Sequence, residues 1–168
     1  AAASFAGYRL QQAVDTVTRH HDAVTEFERL NLAVFSLESG VRSYVVAGDE
    51  TSFQRYERGR DDIGRASERI EALQVQIDPD LQLQLAALLR SRVDLAAQTV
   101  ALRRSGELDQ AVARVVQDGR DPLSQRILKV TTGIIESQHG SLREAQLGSD
   151  RQAMILQVMV AVGALMAL

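Results

Sequence analysis

Cysteine and tryptophan do not occur in the 168 residues, proline occurs twice, and aromatic residues amount to 4%. Without cysteine there is no disulfide framework, no thiolate zinc site and no cysteine nucleophile. His20, His21 and His139 are too few for a His-rich metal site, and the adjacent pair points about 100° apart on a helix, so it cannot chelate one ion. Lysine is represented by Lys129 alone, and charges of both signs alternate without a long run of either. That excludes the basic stripe a nucleic-acid surface needs. No phosphate-binding glycine loop, dinucleotide fingerprint or nucleophile elbow is present. The acidic pairs Asp61-Asp62 and Asp78/Asp80 read as a solvated helix face and helix caps. The three methionines, Met154, Met159 and Met166, fall in one apolar tail and read as packing residues. No metal and no cofactor is expected, and no catalytic constellation is found.

What is there is aliphatic. Hydrophobic residues make up 45%, carried by Leu, Val, Ile and Ala, with 24% charged and a net charge of −3. Leu and Ala favour helix, and so few prolines leave helices unbroken. A first helix is expected over 2–47, with Leu10, Val14, Val17, His21 and Val24 as a heptad seam. After one short step, Phe27, Leu30, Val34, Leu37, Val41 and Tyr44 continue it. Gly48-Asp49-Glu50-Thr51 stops this helix and restarts the chain, with Asp49 or Thr51 able to cap the next, which is expected over 52–77 with Gly59 and Gly64 weakening it. Asp78-Pro79 opens a third helix over 80–105. Its start alternates like a strand, but Leu81, Leu85, Leu88, Leu89, Val93, Ala96 and Val100 follow helical spacing. Ser105-Gly106 ends it. A short helix over 107–118 follows, and a last one begins near Pro122, with Asp121 as its cap and Leu123, Ile127, Val130 and Ile134 on its seam. The expected fold is all-α, an up-down four-helix bundle with long first and last helices.

The two ends differ from the middle. Met154 to Leu168 carries no charge and one polar residue, Gln157. It is read as the start of a transmembrane helix over 153–168, since a docked soluble helix should show a polar face. Residues 1–8, small and apolar, are read as the end of a preceding transmembrane helix. An up-down bundle brings both ends to one side, so both can enter one membrane. The part between, 9–152, is then the extracytoplasmic bundle. Within it a second seam, Ala145, Ser149 and Gln152, is small and polar where the rest is apolar.

The stretch Leu37 to Tyr56, LESGVRSYVVAGDETSFQRY, resembles the third type of the CHASE sensory domains (cyclase/histidine-kinase-associated sensory extracellular). Their run is close to E-T-G-x-R-G-Y-L-L-T-G-D-E with aromatics after it. Glu38, Gly40, Arg42, Tyr44, Gly48, Asp49 and Glu50 match in type and spacing, and Phe53 and Tyr56 fit the aromatic positions. Ser39, Ser43, Ala47 and Arg55 depart from the pattern. Leu102-Arg103-Arg104 before Ser105-Gly106, and Gly119-Arg120, echo two further turns of the family.

The resemblance implies a domain between two transmembrane helices of a bacterial inner-membrane receptor. It would face the periplasm or exterior, usually as a homodimer, with a cytoplasmic effector module in the same chain. A sensor histidine kinase of a two-component system is the expected effector; a nucleotide cyclase is another. Glu38, Arg42, Tyr44, Gly48 and Asp49 are the motif candidates, either for holding a turn together or for touching a ligand or partner. Ala145, Ser149 and Gln152 are the candidate relay seam. Competing readings are a chemotaxis-type ligand-binding bundle with a pocket at a dimer interface, and a membrane-anchored structural or interaction bundle. An enzyme comes last.

Overall fold

A computed structural model describes residues 2–120 and 122–140, all of them helical apart from 48–49, 73–78, 105–107 and Pro122. The helices are α1 (Ala2–Ala47), α2 (Glu50–Ala72), α3 (Pro79–Arg104) and α4 (Leu108–Arg120), followed by α5 over 123–140. Residues Ala1–Ile135 form one compact unit, to which all the packing below belongs; of the second, Glu136–Leu168, residues 136–140 are described and are helical. Asp121, the seam Ala145, Ser149 and Gln152, and the apolar segment 153–168 lie outside the described residues. Among the described residues no helix is long and apolar enough to cross a membrane.

The topology is up-down, and pairs of contacts show it. Gly40 of α1 lies against Tyr56 of α2, and three residues earlier on α1, Leu37 lies against Gly59, three residues later on α2. Glu38 of α1 meets Ser124 of α5; seven residues back, Asn31 meets Thr131, seven residues forward. Opposite steps of equal size mean antiparallel helices. Arg92–Asp118 and Gln98–Arg114 also step in opposite directions, six residues forward on α3 and four back on α4, so α4 runs antiparallel to α3. The fourth column is thus α4 followed by α5, with Pro122, non-helical and without a backbone donor, just ahead of α5. This is the expected all-α bundle, with its last column in two pieces.

The core follows the predicted seam from Phe27 upward. Phe27, Leu30, Val34, Leu37, Val41 and Tyr44 are all buried, as are Ile63, Ala66 and Ile70 of α2, Leu85, Leu88, Ala96 and Val100 of α3, and Ile127, Val130 and Ile134 of α5. Leu83 is exposed while Leu85 is buried, which is helical periodicity and not the strand alternation its neighbours imitate. The predicted seam fails lower on α1, where Val17 and His21 are exposed. The reason is length. Starting opposite the top of α1, the 23 residues of α2 reach down only to about Val24, so α2 never covers that level. α2 also stops five residues earlier than its apolar pattern suggests. Leu73 is its C-cap, and Gln74 takes a left-handed φ of 48°, which breaks the ladder before Ile77.

Gly59 shows what it is there for. A Cβ on it would lie 2.5 Å from the backbone nitrogen of Leu37 and 2.7 Å from its Cα, and one on Gly40 would lie 2.5 Å from the nitrogen of Tyr56. Each helix contributes a glycine where the other's backbone passes, so the axes approach more closely than side chains ordinarily allow. The expected local weakening of α2 at Gly59 is offset by this packing. Gly64 meets nothing and keeps its intrinsic cost.

Candidate functional site

The motif residues gather at the end of the bundle where α1 turns into α2. Gly48 has φ 68°, a conformation glycine adopts without steric cost, and its N–H donates to Tyr44 O at 2.8 Å. Asp49 is extended and caps α2, accepting from Ser52 N at 2.7 Å. Tyr44, Phe53 and Tyr56 stack in sequence, with ring centroids 5.5 and 5.7 Å apart.

The second turn of the same end, after α3, supplies the lid. Arg104 lies with its guanidinium carbon 4.0 Å from the centroid of the Phe53 ring, a cation–π contact. Arg103 lies directly over Gly48, where a side chain would collide with its Nη2. The L-R-R-S-G echo and the Gly-Asp-Glu motif are therefore two halves of one junction. Nothing in either segment alone announces this, but an up-down bundle requires the ends of α1 and α3 to share a side.

Two turns below, Glu38 is buried and serves two partners. Arg42 pairs with it from four residues on, as its spacing suggested. The Ser124 hydroxyl donates to its other oxygen at 2.6 Å from the first turn of α5. Beside it, Arg92 is 2% exposed and its Nη1 lies 2.5 Å from Asp118 Oδ2, an ion pair joining α3 to the end of α4. Among the described residues, Arg92 Nε and Asp118 Oδ1 find no hydrogen-bond partner. The two pairs lie on either side of Pro122, one at the end of α4 and one at the start of α5. Ser124, Arg92 and Asp118 escaped the sequence reading, since no local period links residues that far apart. One signal was available: Arg92 sits four residues from both Leu88 and Ala96, on the buried stripe of α3.

Chemically this arrangement ties helices together, through Glu38 with Arg42 and Ser124 and through Arg92 with Asp118. Among the described residues no cluster of three or more His, Cys, Asp or Glu could hold a metal ion. Asp61 and Asp62 pair with Arg60 and Arg65 on an exposed face, and Asp78 caps α3 through Asp80 N at 2.8 Å. Glu38, Arg42, Tyr44, Gly48 and Asp49 are brought to one end; the proposed relay seam lies outside the described residues.

The fold is thus an antiparallel helical bundle with buried polar ties between its columns. The chain is a member of the CHASE3 domain family, whose model matches residues 13–147. Its fold is shared by a solved structure described as the periplasmic sensor domain of a sensor histidine kinase. The two agree with a TM-score of 0.70 at 14% identity, over 80% of this chain and 93% of that one. Among curated protein sequences none matches.

Proposed function

We propose that this chain is the extracytoplasmic sensor domain of a bacterial transmembrane receptor, with a sensor histidine kinase as its cytoplasmic output. The observation that carries the reading is the CHASE3 match over 13–147 followed by the uncharged segment 153–168, which is where a helix must enter the membrane if the bundle reports inward. The periplasmic kinase sensor that shares the fold supports the choice of output. The domain itself is not an enzyme in this reading, and it works as a homodimer.

In this mechanism the stimulus changes how α5 packs on α1. Because α5 is tied at its top through Ser124 to Glu38 and continues downward, a change at the tie becomes a slide, tilt or rotation at the membrane. The seam of Ala145, Ser149 and Gln152, small or polar in sequence, is the candidate relay in this reading, since a loosely packed seam can take two arrangements. The gene on either side of this segment tests the reading. An apolar helix before Ala1 and a kinase module after Leu168 are expected; a stop codon shortly after Leu168 would leave a membrane-anchored interaction bundle instead. In the full receptor, Ser149→Leu with Gln152→Leu should fix the output in one state, and unchanged signalling would remove the seam from the mechanism.

A further inference from the structure

The bundle is not evenly closed. The glycine contacts draw α1 and α2 together, and the Arg92–Asp118 pair draws α3 to α4, but α2 and α3 scarcely approach each other. A cleft therefore opens between them above the buried core. Ile63 and Ile70 form one wall and Leu85, Leu89 and Val93 the other, over a floor of Phe27 and Leu30. The cleft between them has a volume of about 640 Å³, within the range of about 300–1,000 Å³ usual for small-molecule sites. It runs along α3 from Gln82 to Asp94, about 18 Å at 1.5 Å per residue. Leu89 and Val93 stay half-buried there although both lie on the inward face.

The rim selects the ligand's chemistry. Glu71 and Asp94 each bring a negative charge and Arg90 one positive charge, and the Arg90 Nε is turned back toward Ala86 O at 3.4 Å. The opening is therefore net negative and repels an anionic head group. Gln74 and Gln82, which both donate and accept, stand at the end next to the α2–α3 connection. We propose that the cleft binds an uncharged amphiphile, with an aliphatic body along the walls and a hydroxyl, carbonyl or amide group at Gln74 and Gln82. That this ligand is the stimulus rests on the sensor reading above; that it binds does not.

The test uses the whole chain in lipid nanodiscs with methyl-labelled Ile, Leu and Val, followed by NMR during titration with straight-chain primary alcohols and with octanoate. Saturable shifts are expected at Ile63, Ile70, Leu85, Leu89 and Val93, with none at Val41, Val45 and Val100. Affinity should rise about fourfold per methylene from hexanol to octanol, as burial of each CH₂ implies. Octanoate at neutral pH should bind at least about tenfold more weakly, by repulsion from the rim. Ala86→Trp, at an exposed position on the cleft edge, should abolish the shifts while leaving the amide spectrum folded. Absence of saturable shifts in the folded wild type overturns the site, and binding of octanoate as tight as octanol overturns its charge selectivity. Contacts from the cleft methyls to a second, differently labelled copy would show that a dimer partner fills the cleft, which also overturns the proposal. None of these outcomes touches the receptor reading, which the neighbouring gene sequence decides.

Discussion

Replacing Gly59 by alanine isolates the close approach of α1 and α2. In a helix interior alanine is favoured over glycine by about 1 kcal/mol, so a packing-neutral site should gain stability. At Gly59 the new Cβ would stand 2.5 Å from Leu37 N and 2.7 Å from Leu37 Cα. Those are backbone atoms of a continuous helix, which cannot swing aside as a side-chain tip can. The helices must part, at the upper end of the roughly 1–3 kcal/mol that overpacking costs. The net change is a loss of about 1–2 kcal/mol. Gly64, one turn further along the same helix, is the control: it is exposed and nothing lies within 4 Å of its Cβ position. Gly64→Ala should gain about 0.5–1 kcal/mol. For a chain of this length each kcal/mol moves the melting temperature by about 2–4 °C, so the two variants should separate by about 3–12 °C in thermal melts followed by circular dichroism. Gly40→Ala should behave like Gly59→Ala, and the double variant should lose less than the sum, because one separation of the helices accommodates both methyls. A Gly59→Ala protein that melts at or above the wild type, in step with Gly64→Ala, would refute the close approach.

Three further variants probe the polar ties. Asp118→Ala strands the buried Arg92 charge and should cost about 3–5 kcal/mol in urea unfolding, whereas the double variant Arg92→Leu/Asp118→Leu should recover most of it; equal losses would mean the pair is not desolvated. Ser124→Ala removes a donor from the buried Glu38 carboxylate and should cost about 1.5–3 kcal/mol, read as a lower urea midpoint at constant slope. Asp49→Ala should cost about 1 kcal/mol through loss of the α2 cap, with Asp49→Asn retaining most of it.

Much of this bundle could be read in advance because helices announce themselves by period. The seam from Phe27 to Tyr44 lies in the core as spaced, and Gly48-Asp49 and Asp78-Pro79 stop and cap helices as their chemistry dictates. Apart from the early end of α2 at the left-handed Gln74, the misreadings share one cause, dependence on a distant partner. Val17 and His21 carry a sound heptad, but a heptad says only that a face is apolar, and the exposed result depends on where α2 ends. Gly59 looks like a weak point until Leu37 is placed against it. Ser124 is one serine among many until Glu38, 86 residues earlier, is placed within 2.6 Å of it. Of the motif residues, the pairing of Glu38 with Arg42 and the capping by Asp49 are local and were legible. The seating of Arg103 on Gly48 and of Arg104 on Phe53 required the fold.

The glycine contacts also apportion the molecule's fluctuations. Where two helix backbones touch, no layer of side chains lies between them to change rotamer, so α1 and α2 move together as one stiff body around residues 37–59. Across the α2–α3 gap, nothing comparable resists displacement. Native-state hydrogen exchange should therefore be graded across the unit. It should be slowest in the touching segments of α1 and α2 and fastest, among buried helices, in the first half of α3. A domain built this way absorbs thermal agitation along one seam and leaves the rest in register.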